Sequence, residues 1–154
     1  ERIIDKLGGE VHPRDTFVMF VAAHGTSLGG RFYLIPQDYQ GGPNPDALNR
    51  LAVGQERLQD WLANRIRAAK AIVLLDTCES GALVSGHRRA RTGGPASEAA
   101  VGRLHEATGR PVLTAAATGR VAVEGYQGHG VFTFALLDAL RRADVNDSGL
   151  IEAR

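Results

Sequence analysis

Residues 71–81 read AIVLLDTCESG, and this stretch decides the fold. Ala71-Ile72-Val73-Leu74-Leu75 is a short continuous apolar run, the pattern of a strand buried on both faces, and it ends on Asp76-Thr77-Cys78-Glu79-Ser80-Gly81. Upstream, residues 17–23 (FVMFVAA) repeat the pattern between Pro13-Arg14-Asp15 and His24-Gly25. A weaker third run, 111–117 (PVLTAAA), stops at Thr118-Gly119. Helical patterns lie between these runs. Leu51, Val53, Leu58, Trp61, Leu62 and Ile66 outline an amphipathic helix over roughly 54–69, Phe132, Leu136, Leu137 and Leu140 another over roughly 131–142, and residues 97–108 a fainter one. Ile3, Ile4 and Leu7 follow a helical period at the start of the chain. Strands alternating with helices predict an α/β fold with a mainly parallel sheet and right-handed crossovers. Residues 36–50, with three prolines and Gly41-Gly42, read as loop, as does the basic segment 84–96.

The composition narrows the class further. The chain has 154 residues, enough for one compact domain, and its 44% hydrophobic and 23% charged residues exclude disorder and low complexity. A net charge of +1 argues against nucleic acid as the partner. The excess of Arg over Lys, 16 to 2, follows more simply from genome base composition than from phosphate binding. No apolar run approaches the roughly 20 residues that span a bilayer. The lone cysteine, Cys78, cannot form an internal disulfide and is too few for a Cys-based zinc site, so any special role is one it plays alone. Glu1 is not an initiator Met, and the chain is expected to be a piece of a larger protein.

In a parallel α/β sheet, function gathers at the carboxyl ends of the strands. Those ends carry His24-Gly25 and Asp76 to Gly81, which bring a histidine and the cysteine to one edge. A thiol attacks a carbonyl only as thiolate and needs a nearby base or imidazolium, which His24 is placed to supply. The backbone amides of Gly25 and Cys78 would then lie near the attacked carbonyl as an oxyanion hole. Taken singly, Cys78 reads as a small buried residue and His24 as a loop-capping side chain. Taken as a pair on adjacent strand ends, they read as a nucleophile and its base.

These residues resemble a known family. FVMFVAAHG (17–25), FYLIPQD (32–38), AIVLLDTCESG (71–81) and GHGVFTFALLDAL (128–140) resemble, in the same order, blocks of the peptidase C14 clan of caspases, metacaspases and paracaspases, particularly its bacterial caspase-like members. The resemblance implies that residues 1–154 form a partial caspase-like peptidase domain. In that fold the first strand and most of the first helix would precede Glu1, and at least one late strand would follow Arg154. It further implies a thiol protease working through a Cys–His dyad, with Cys78 as nucleophile and His24 as general acid/base. Two departures stand out: Ala22-Ala23 replaces the Ser-Gly that many metacaspases carry before His-Gly, and Glu79 stands where several have His.

Asp76 lies two residues before Cys78, and a carboxylate so close opposes thiolate formation unless it has another partner. The similar position in metacaspases and paracaspases lines the S1 pocket and selects Arg or Lys, and Glu124 resembles a paracaspase pocket acid; two converging carboxylates would favour a bidentate Arg. The plainer readings are a turn cap for Asp76 and a solvated loop charge for Glu124. In the 84–96 segment, Arg88, Arg89 and Arg91 beside Gly93-Gly94-Pro95 could be sites of autocleavage by an Arg-specific protease, or simply a solvated basic loop that acts as a linker. No cofactor or metal is required by thiol chemistry. Asp144 to Gly149 (DVNDSG) matches the first half of an EF-hand calcium loop, but the acid expected at its twelfth position would fall beyond Arg154, and an ordinary turn is the plainer reading.

The expected function is therefore a cysteine endopeptidase that cuts protein or peptide substrates after Arg, or Lys, through a thioester acyl-enzyme. A cytoplasmic setting suits a lone reactive thiol. Two alternatives remain: a separase-like CHAT protease, which also carries His-Gly and a Cys-Glu-Ser-Gly run, and a catalytically silent caspase-like module used for assembly or signalling. Tyr33-Leu34-Ile35-Pro36 and Gly130-Val131-Phe132-Thr133 favour the caspase-like branch over the first, and the intact His24 and Cys78 argue against the second.

Overall fold

The computed structural model describes residues 2–42, 44–79, 95–115 and 130–142. The elements run in the order α1 (Arg2–Glu10), β1 (Thr16–Leu28), β2 (Arg31–Ile35), α2 (Pro45–Leu51), β3 (Val53–Gly54), α3 (Gln55–Asp60) with a π-helical turn over Trp61–Arg65, β4 (Lys70–Glu79), α4 (Pro95–Thr108), β5 (Val112–Thr114) and α5 (Val131–Arg142). Among the described residues, five strands form one sheet in the order β3-β2-β1-β4-β5.

The sheet is mixed, where the sequence predicts a mainly parallel one. β1 pairs parallel with β4, and β4 with β5, whereas β1 with β2 and β2 with β3 are antiparallel. The cause is the turn after β1. Gly29 and Gly30 both take positive φ, 58° and 75°, the conformation of a two-residue hairpin loop, and Leu28 faces Arg31 across it. β2 pairs only with His24 to Leu28, so among the described residues Thr16 to Ala23 are paired on one side, with β4.

One face of the sheet carries the main core. Val73 and Leu75 of β4, with Phe32 and Leu34 of β2, pack against Leu58 of α3, Trp61 and Leu62 of the π turn and Leu104 of α4; Phe17, Met19 and Val21 of β1 and Ile4 of α1 complete the cluster. The predicted single helix over 54–69 is thus a short α-helix that widens into a π turn, closed where the Ile66 amide donates to the Trp61 carbonyl at 2.9 Å. Asp60 and Asp5 both accept from Arg65, which ties α1 to that turn.

The opposite face is covered at its edges. Tyr33 and Ile35 pack on Leu48 and Ala52, the Tyr33 hydroxyl donating to Asn49 at 2.9 Å. This brings in α2, which lies inside the stretch expected to be loop. Asn44 caps it by accepting from the Asp46 and Ala47 amides, and Pro45 occupies its first turn. The middle of this face stays open among the described residues: Val18 is 55%, Phe20 45% and Leu113 43% exposed. β1 therefore alternates between half-buried and exposed residues over Thr16 to His24, and the expected two-sided burial holds only for β4, whose Val73 and Leu74 are both buried.

No helix among the described residues is long and apolar enough to cross a membrane. Residues 84–94 of the basic segment and the calcium-like stretch 144–149 lie outside the described residues, and α4 opens at Pro95.

Candidate active site

The site is built by the pairing of β1 with β4. Both strands run further than their apolar cores, so His24 and Cys78, expected just past the strand ends, lie inside β1 and β4. The parallel register sets His24 opposite Cys78, Ala22 opposite Asp76 and Gly25 opposite Glu79. Neighbouring strands run about 4.8 Å apart, and residues two apart along a strand share a face. His24, Asp76 and Cys78 therefore occupy one face at the carboxyl-terminal edge of two adjacent parallel strands. This is the face opposite the main core.

His24 is exposed and holds a double position, opposite Cys78 on one side and Ile35 of β2 on the other. Gly25, the other residue expected to line an oxyanion hole, is buried within β1 between Leu34 and Glu79. Asp76 is half-buried, and here the structure adds a contact that the sequence does not reveal. The hydroxyl of Thr133, in the first turn of α5, donates to Asp76 Oδ2. Gly130, immediately before α5, lies so close that a Cβ there would stand 2.8 Å from Oδ2 and 3.3 Å from Oδ1. Asp76 sits within β4 and receives the start of α5.

The only sequence signal for Thr133 is its place in the Gly130-Val131-Phe132-Thr133 block. Nothing in spacing or periodicity links it to a strand residue 57 positions earlier. Glu124, Arg88, Arg89 and Arg91 lie outside the described residues.

A family model, the caspase domain of peptidase family C14, matches residues 1–151. This chain belongs to the caspase-domain family. Its α/β sheet flanked by helices agrees with that membership, which implies, at the level of the family, a cysteine peptidase with protein substrates. No curated protein and no solved structure matches the chain. In this caspase domain the longest strand pairing, β1 with β4, is the one that sets a histidine against the lone cysteine.

Proposed function

We propose that this caspase domain is a cysteine endopeptidase of the bacterial caspase-like or metacaspase branch that cleaves after Arg, or Lys, through a Cys78–His24 dyad. The observation that supports this reading is the β1–β4 register, which pairs His24 with Cys78 and puts Asp76 on the same face. In the reaction the Cys78 thiol gives its proton to His24 and its sulfur attacks the scissile carbonyl carbon. The negative charge on the tetrahedral oxygen is assigned to the amides of Gly25 and Cys78. His24 returns the proton to the departing amine, leaving a thioester. Water then attacks the thioester, with His24 taking its proton, and releases the acid and the thiol. Asp76, with Glu124, reads the basic side chain as an acidic S1 pocket. In the same reading the enzyme works in the cytoplasm without a cofactor and processes itself at Arg88, Arg89 or Arg91.

The test is hydrolysis of matched fluorogenic peptides ending in Arg, Lys, Asp or Leu by the full-length protein and its Cys78→Ala variant, with and without calcium. Cleavage after Arg or Lys that the variant lacks is the expected result. Cleavage after Asp or Leu overturns the assignment of Asp76, and no cleavage of any peptide favours the silent module. Activity only with calcium would overturn the cofactor-free reading. For self-processing, the intact mass of wild type is expected to break at 88, 89 or 91 while Cys78→Ala stays whole; identical masses sink that part.

A further inference from the structure

The carboxylate assigned to the specificity pocket is held by a helix that carries neither member of the dyad. Asp76 Oδ2 accepts from the Thr133 hydroxyl, and a Cβ at Gly130 would stand 2.8 Å from Oδ2 and 3.3 Å from Oδ1, so a side chain there would push the carboxylate from its place. Two independent features of the α5 start thus meet one strand carboxylate: a donor, and a space. Among the described residues, both come from the one short stretch Gly130 to Thr133. An Asp side chain has two soft torsions, and a carboxylate that is to meet a cation gains from having them fixed before the cation arrives.

We infer that Thr133 is a positioning residue for substrate specificity: it fixes the Asp76 carboxylate, with Gly130 leaving it space, so that the pocket binds a basic P1 side chain. The inference rests on the reading of Asp76 as an S1 residue. It assigns α5 a task in selecting the substrate and none in the proton transfers, so loss of the hydroxyl acts on KM and spares kcat.

The experiment uses the full-length protein with peptides ending in Arg, Lys and Leu, and the variants Thr133→Val, Thr133→Ser, Gly130→Ala and Asp76→Asn, each checked by thermal melting. Thr133→Val is nearly isosteric and removes only the donor; it is expected to raise KM for Arg and Lys peptides about five- to tenfold, the net size of one ordinary hydrogen bond, with kcat within about twofold. Thr133→Ser keeps the donor and recovers the low KM. Gly130→Ala keeps the hydroxyl but crowds the carboxylate, and raises KM in the same way, which preserves the test if Thr133→Val fails to fold. Wild-type KM in both Thr133→Val and Gly130→Ala, or a loss confined to kcat, overturns the inference. Asp76→Asn separates the two levels: if it abolishes basic specificity while the α5 variants do nothing, only the role of Thr133 falls; if it leaves cleavage after Arg and Lys intact, or if wild type cleaves neither peptide, the pocket reading itself falls and takes this inference with it.

Discussion

The two faces of the sheet differ in kind. On one, Val73, Leu75, Leu58, Leu62, Trp61 and Leu104 close into a core in which Leu75, Leu58 and Leu62 are each 1% exposed. On the other, His24, Asp76 and Cys78 share a face with half-exposed Val18 and Phe20, and among the described residues the helices touch only its margins. The same two strands supply both faces, because successive residues of β1 and β4 point to opposite sides. The packed core and the candidate site are thus separated by one residue in register: Leu75 belongs to the core and Asp76, on the proposed reading, to the site.

If that separation is real, substitutions on the two faces should move different observables. The largest effect is expected for His24→Ala, which on the proposed reading removes the general base and lowers kcat/KM about 10²- to 10⁴-fold while leaving the denaturation midpoint near wild type; a comparable loss of stability would break the comparison. Leu75→Ala comes next, with a loss of about 2–5 kcal/mol in urea unfolding for a fully buried leucine. Phe20→Ala should cost about 1 kcal/mol, because nearly half of its side chain is already in water, and a cost equal to that of Leu75→Ala would show that this face is covered as well as the first. The smallest effect concerns acid. Hydrogen bonds from Asn64 and then Arg65 hold the Asp60 carboxyl below its ordinary value of 3.8. A carboxyl lowered in the folded state adds stability above its unfolded value and loses it as the pH falls through the folded one. The urea midpoints of wild type and Asp60→Asn, different at pH 7, should therefore converge as the pH falls below 3.8 and through the lowered folded value; a gap that persists once the carboxyl is protonated would count against the ion pair.

The first, packed face was largely legible in the sequence, and the second only in part. The runs at 17–23 and 71–75 locate β1 and β4, the spacing of Leu58, Trp61 and Leu62 marks the helix that covers them, and Phe132 to Leu140 marks α5. β2 is harder to see, because its run Phe32-Tyr33-Leu34-Ile35 stands out only as part of a block of family likeness. The two adjacent glycines at 29 and 30 were the available signal for a hairpin. α2 escaped because three prolines and Gly41-Gly42 outweighed the Asn44-Pro45 start, although Pro in a first helical turn favours a helix. The open middle of the second face was hidden because FVMFVAA is apolar throughout; only packing partners tell its two sides apart. The edge that joins His24 to Cys78 could be expected from strand order, whereas the grip of Thr133 on Asp76 depends on where a distant helix lands.

The double pairing of His24 also bears on the order in which this protein assembles. Its contact with Ile35 belongs to a hairpin closed by two glycines, a local event on the scale of about 1–10 μs. Its contact with Cys78 needs a parallel crossover through α2 and α3, which carries a larger entropic toll and forms more slowly. During synthesis the stretch of β1 that carries His24 is thus paired while the strand that bears Cys78 is still being made, and on the proposed reading the protease is harmless until the centre of its sheet has closed.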